Sequence, residues 1–124
     1  MSPRRAAGLL AAGRLALGAA VLAAPEQVTS RWLGDEHAHH PAVRYLAHSL
    51  GVRDLVLGAL ALSTLGDPRF GSQVLAACAV ADSVDALATV AARSHLPRVG
   101  VIGTVGVAGA AAVAGFYLSQ QLAD

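Results

Sequence analysis

The chain contains no lysine, a single cysteine and few aromatic residues, and each scarcity removes a class of function. One cysteine, Cys78, excludes an intrachain disulfide and any Cys-x-x-Cys zinc or redox motif. Aromatics make up 4% of residues, so a water-soluble core would have to be assembled largely from Ala, Val and Leu. Charged residues make up 14%, against about 25% in ordinary soluble domains. All 9 basic residues are arginine and the net charge is +1, which gives no electrostatic basis for binding nucleic acid. A nucleophile elbow, a phosphate-binding glycine loop and a zinc-hydrolase motif are missing as well. The sequence points away from an enzyme and names no reaction, substrate or cofactor.

What the chain has in abundance is apolar length, with 55% hydrophobic residues. Four runs, predicted as helices over residues 6–24, 42–65, 71–92 and 99–121, are each long enough to cross a hydrocarbon layer of about 30 Å at a rise of about 1.5 Å per residue. Pro25, Pro41, Gly66–Asp67–Pro68 and Pro97 fall between the runs, where chain breaks belong. The expected fold is all-α: a single-domain, four-helix antiparallel transmembrane bundle. A soluble Ala-rich bundle competes with it, but the run from Val99 to Gly115 has no polar face beyond Thr104, and a surface helix in water needs one. Gly100, Gly103, Gly106 and Gly109 would weaken a helix in water, whereas in a membrane small residues permit close helix contact. A cleaved signal peptide is the other competitor for the first run, and Arg14 splits its apolar stretch in half.

Five charges interrupt these runs near their middles: Arg14, Arg53, Asp54, Asp82 and Asp85. A charge at bilayer mid-depth costs about 2.5–3.5 kcal/mol on insertion scales, so such groups are expected to be paired and turned inward. Helical spacing puts each among small residues. Ala7, Ala11, Arg14, Gly18 and Val21 share one stripe, Ala47, Gly51, Asp54, Gly58 and Ala61 another, and Cys78, Asp82, Asp85 and Thr89 a third. The five form the candidate ligand or proton cluster, with two arginines against three aspartates. Arginine keeps its proton, so the excess is expected to be met at Asp82 or Asp85, by a proton, a bound cation or a ligand donor. The competing reading is a network that only fixes helix register.

The connection after the first run carries Val28 and Trp32 at helical spacing, which predicts a short interfacial helix anchored by Trp32. His37, His39 and His40 follow, with Asp35 and Glu36 beside them. Their spacing lacks the paired presentation of a helical His-x-x-x-His site, so the segment reads as a solvated loop and no metal site is assigned.

Gly13-Arg14-Leu-Ala-Leu-Gly18, Arg44-Tyr45-Leu-Ala, Leu50-Gly-Val-Arg53-Asp54-Leu-Val-Leu-Gly58 and Ala81-Asp82-Ser-Val-Asp85 resemble a domain-of-unknown-function family of small bacterial four-helix membrane proteins, distantly similar to the DoxX-like group. The resemblance implies the four-helix membrane fold, without a catalytic residue, substrate or cofactor. Its remote association with quinone-linked redox assemblies is analogy from fold alone. The expectation drawn from all this is a multi-pass protein of the bacterial cytoplasmic (inner) membrane, with both termini on the cytoplasmic side. Its partners are expected to be the lipid bilayer and a quinone- or lipid-like apolar ligand held at the Arg–Asp cluster. Arg14 and Arg53 would anchor an anionic or carbonyl-bearing headgroup or keep Asp54 ionised, while Asp82 and Asp85 would exchange a proton or accept a ligand hydrogen bond. A homo-oligomer or a larger membrane complex is the alternative setting, with the protein as accessory subunit and the glycine-rich fourth helix as docking face.

Overall fold

The computed structural model describes residues 1–124 and contains helices and turns but no strand. Four long helices, α1 (Pro3–Ala23), α4 (Pro41–Thr64), α5 (Pro68–Ala91) and α6 (Arg98–Ala123), are joined by two short ones, α2 (Pro25–Leu33) and α3 (Asp35–Ala38), and by a 3-10 turn at Arg93–His95. Proline punctuates the start of every helix but α3: Pro3, Pro25, Pro41 and Pro68 open α1, α2, α4 and α5, and Pro97 caps α6. The missing proline N–H is one a first turn leaves unbonded in any case, and its fixed φ suits the helix. The long helices therefore begin one to three residues earlier than the apolar runs do, taking Arg4, Arg5 and Arg69 into their first turns. Ser2 and Asp67 supply side-chain caps. Gly34 turns the chain between α2 and α3 with φ +94°, a conformation that favours glycine.

The helices form an antiparallel ring in the order α1, α4, α5, α6. Two contacts are extensive, α1 with α4 and α5 with α6, while the seams α4–α5 and α1–α6 are thin. Close approach in the first pair rests on glycine. A Cβ on Gly18 would lie 2.8 Å from the Gly51 carbonyl oxygen, and one on Gly58 would lie 2.8 Å from Leu15 Cγ and 3.1 Å from the Ala11 carbonyl oxygen. In the second pair Gly115 meets Ala79. At the end of the ring that carries both termini, Ala7, Ala11, Ala61, Leu75, Cys78 and Leu118 close an apolar core, and Arg4 Nε donates to the Leu65 carbonyl at 2.8 Å.

Small residues and the charge network face inward with a few large apolar side chains such as Leu75 and Val21, and most other large apolar side chains face out. The buried sets of α1 (Ala7, Ala11, Gly18, Val21) and α4 (Ala47, Gly51, Asp54, Gly58, Ala61) follow the stripes read from the sequence. Asp54 is 2% exposed, whereas Leu87 is 69% and Val113 72% exposed. This inversion of the soluble pattern suits a hydrocarbon solvent, in which exposed leucine costs nothing and exposed charge costs much. All four long helices are long and apolar enough to cross a membrane, which makes a lipid bilayer the natural surroundings of this bundle. Aromatic residues gather near the two ends, with Trp32 and Tyr45 toward one and Phe70, Phe116 and Tyr117 toward the other.

Two sequence expectations require correction. The glycine ladder of α6 reads as permitting close helix contact. Only Gly100, which abuts the Trp32 carbonyl, lies against a neighbour; Cβ atoms at Gly103, Gly106 and Gly109 would meet nothing within 4 Å. The histidine-rich segment, expected as an open loop, contains the helical turn α3. His40 caps α4 by accepting from Ala42 N, and His37 and His39 stand 3.3 and 3.4 Å from Glu36 and Glu26.

Candidate functional site: a charge network under an apolar cleft

The five interrupting charges come together from α1, α4 and α5. Arg14 Nη1 donates to Asp54 Oδ1 at 3.0 Å, and its Nη2 donates to Asp82 Oδ2 and to the Cys78 carbonyl. Arg53 reaches back to Asp54 Oδ1 through Nη2 at 3.1 Å and Nε at 3.3 Å, and forks across to both oxygens of Asp85 at 3.0 and 2.6 Å. The result is an alternating chain, Asp82–Arg14–Asp54–Arg53–Asp85, that starts and ends on α5. It ties the α1–α4 pair to the α5–α6 pair where direct helix contact is thin. Fork geometry with charged partners makes these strong hydrogen bonds, and the low dielectric of the interior strengthens them further.

Asp82 and Asp85 are therefore not a carboxylate pair left to repel each other, as their spacing alone suggests. Each has its own arginine, and the unmatched carboxylate is Asp54, shared by both. Burial is graded along the chain. The Arg14 side chain is 8% exposed and the Arg53 side chain 32%.

Beside this network a cleft of about 970 Å³ opens between α1 and α6. Leu9, Leu10, Leu17 and Val21 line one wall, Val99, Val107, Ala108 and Ala111 the other, and α2 lies across one end with Val28 and Trp32. Arg14, Asp54, Asp82 and Asp85 are at its floor, but Arg53 is not among its lining residues. Leu9, Leu17, Val99 and Val107 are themselves exposed, so the cleft opens sideways onto the outer surface of the bundle. Asp54 Oδ2 and Asp82 Oδ1 accept no hydrogen bond from the protein, and neither is sealed from the cleft. Thr104 also borders it, and unlike Thr29, Thr64 and Thr89 it does not return its hydroxyl to its own helix.

Trp32 Nε1 is the single buried side-chain nitrogen or oxygen in the molecule without a hydrogen-bond partner, and Trp32 lines the cleft. Sequence reasoning placed Trp32 at a membrane boundary but missed its place over the cleft. Gly100 lets α6 pass directly under the Trp32 carbonyl, a contact that the surrounding glycine repeat does not single out. A second hollow, of about 620 Å³, lies between Leu33–His37 and Ser94–Pro97. Its His37 and His95 come from separate segments, and no group of three His, Cys, Asp or Glu side chains is placed to hold a metal ion.

No family model, curated protein or solved structure matches this chain.

Proposed function

We propose that the protein is a small ligand-binding module of a membrane, taking an apolar molecule into the α1–α6 cleft with its polar head against Asp54, Asp82 and Arg14. The observation that carries this reading is that the cleft reaches the charge network instead of being separated from it by packed side chains. A largely apolar pocket with a few convergent polar groups is the usual form of a small-molecule site, and ionisable groups inside a membrane bundle commonly mark function. Arg53 is spoken for by Asp54 and Asp85, so its part is to hold those carboxylates in place, while the head of the ligand meets Asp54, Asp82 and Arg14.

The bacterial cytoplasmic membrane, with both termini inside, belongs to the same proposal. It is supported by Arg4 and Arg5 in the first turn of α1, since the first helix usually dominates orientation. Kinship with the DoxX-like group also stands as a proposal, resting on the Gly-Val-Arg53-Asp54 and Asp82-x-x-Asp85 elements.

A second reading is favoured by the pairing of every charge in the network: an accessory subunit whose salt bridges only lock its fold. Asp82→Asn separates the two. Asparagine still accepts from Arg14 but removes the cleft-facing charge. For a ligand module the variant keeps its helical signal and loses its bound molecule, as judged by mass spectrometry of the purified protein. A variant that loses helical stability while binding nothing different from the parent supports the accessory subunit.

A further inference from the structure

The atoms that the cleft offers to a ligand head define what that head must be. Arg53 donates only to carboxylates and Arg14 donates to Asp54, Asp82 and the Cys78 carbonyl; the carboxylate oxygens left unpartnered at the floor are Asp54 Oδ2 and Asp82 Oδ1, with Arg14 Nε the one guanidinium nitrogen there without an acceptor. The network sets two arginines against three aspartates, so one carboxylate has no cation of its own inside a low-dielectric bundle. The one other charged residue lining the cleft, Arg31, is exposed on the last turn of α2, away from the floor.

We propose that the cleft selects a lipophilic monocation that can donate hydrogen bonds, such as a primary amine in its protonated form on an apolar body. This inference rests on the ligand-binding reading above. An ammonium group would donate to Asp54 Oδ2 and Asp82 Oδ1, neutralise the network and leave its hydrocarbon part along Leu10, Leu17 and Val107. A hydroxyl head would satisfy the same oxygens but leave the charge in place. A carboxylate head would face two acceptors and an unmatched negative charge. A phospholipid is disfavoured by depth. The floor lies near the middles of α1, α4 and α5, so its ammonium could arrive only by drawing the phosphate into hydrocarbon.

Trp32, the only tryptophan, lines the cleft and reports on it. The experiment titrates the purified full-length protein in neutral detergent at pH 7 with decylamine, decanol and decanoate, one chain carrying three heads, and follows Trp32 emission. Gly103→Leu is the control, since a side chain there meets no neighbour yet projects from a cleft-lining position. The expected result is saturable decylamine binding, at least tenfold tighter than decanol, absent in Gly103→Leu and reduced to the decanol level in Asp82→Asn. If Asp82→Asn does not fold, the ranking of the three heads on the parent protein still decides. Decanol binding as tightly as decylamine, or decanoate binding best, overturns the monocation while leaving the cleft as a ligand site. A response to all three probes that is unchanged in Gly103→Leu overturns both.

Discussion

The α1–α4 and α1–α6 seams share a helix and are both rich in glycine, yet one is closed and the other open. At α1–α4, glycines face one another across the seam, so any added carbon collides with backbone. At α1–α6, Gly103 faces space, and the seam widens into the cleft. Small residues therefore do two different jobs in this bundle. On α4 they let a charged helix approach closely enough for Arg14 to reach Asp54; on α6 they withhold side-chain volume so that the same charges remain accessible. The difference teaches that a glycine stripe is a contact only where the partner helix supplies a matching surface.

Substitutions can break this comparison, and the largest effect is expected at the charge that holds both sides. Arg14→Leu strands Asp82 and leaves Asp54 to Arg53 alone, and loss of one partner of a buried ionic network costs about 3–5 kcal/mol. Denaturant titration in micelles, followed by far-ultraviolet circular dichroism, should record that loss. Arg53→Leu removes the less buried arginine while Arg14 still serves Asp54, so the same titration should show about 1.5–3 kcal/mol, the range for hydrogen bonds to charged groups. Gly58→Leu forces α1 and α4 apart and is expected to cost about 1–3 kcal/mol by overpacking. Gly103→Leu, whose added Cβ would meet nothing within 4 Å, should fall within about ±0.5 kcal/mol of the parent. An equal cost for Gly58→Leu and Gly103→Leu would erase the distinction between the two seams.

Much of this arrangement was legible in the sequence because helical periodicity and residue size are local signals. The inward stripes of α1 and α4 could be read from small residues spaced around Arg14 and Asp54, and the prolines marked the breaks. The pairing of the charges was not legible. Asp82 and Asp85 are three residues apart and read as a mutually repelling pair, but rotation of α5 in the bundle gives one to Arg14 and the other to Arg53. Nor could the sequence distinguish Gly100, pressed against Trp32, from Gly103, open to the cleft, since both sit in the same apolar repeat. That distinction depends on where α2 crosses α6, a long-range contact with no periodic signature.

Native mass spectrometry of the protein extracted from membranes, run on the parent and on Gly103→Leu, tests the central claim most directly. If the cleft is a ligand site, the parent carries one additional small molecule per chain with an apolar body and a compact polar head, and Gly103→Leu, equally folded, carries none. Identical spectra for the two proteins, showing only bulk membrane lipid, would contradict it.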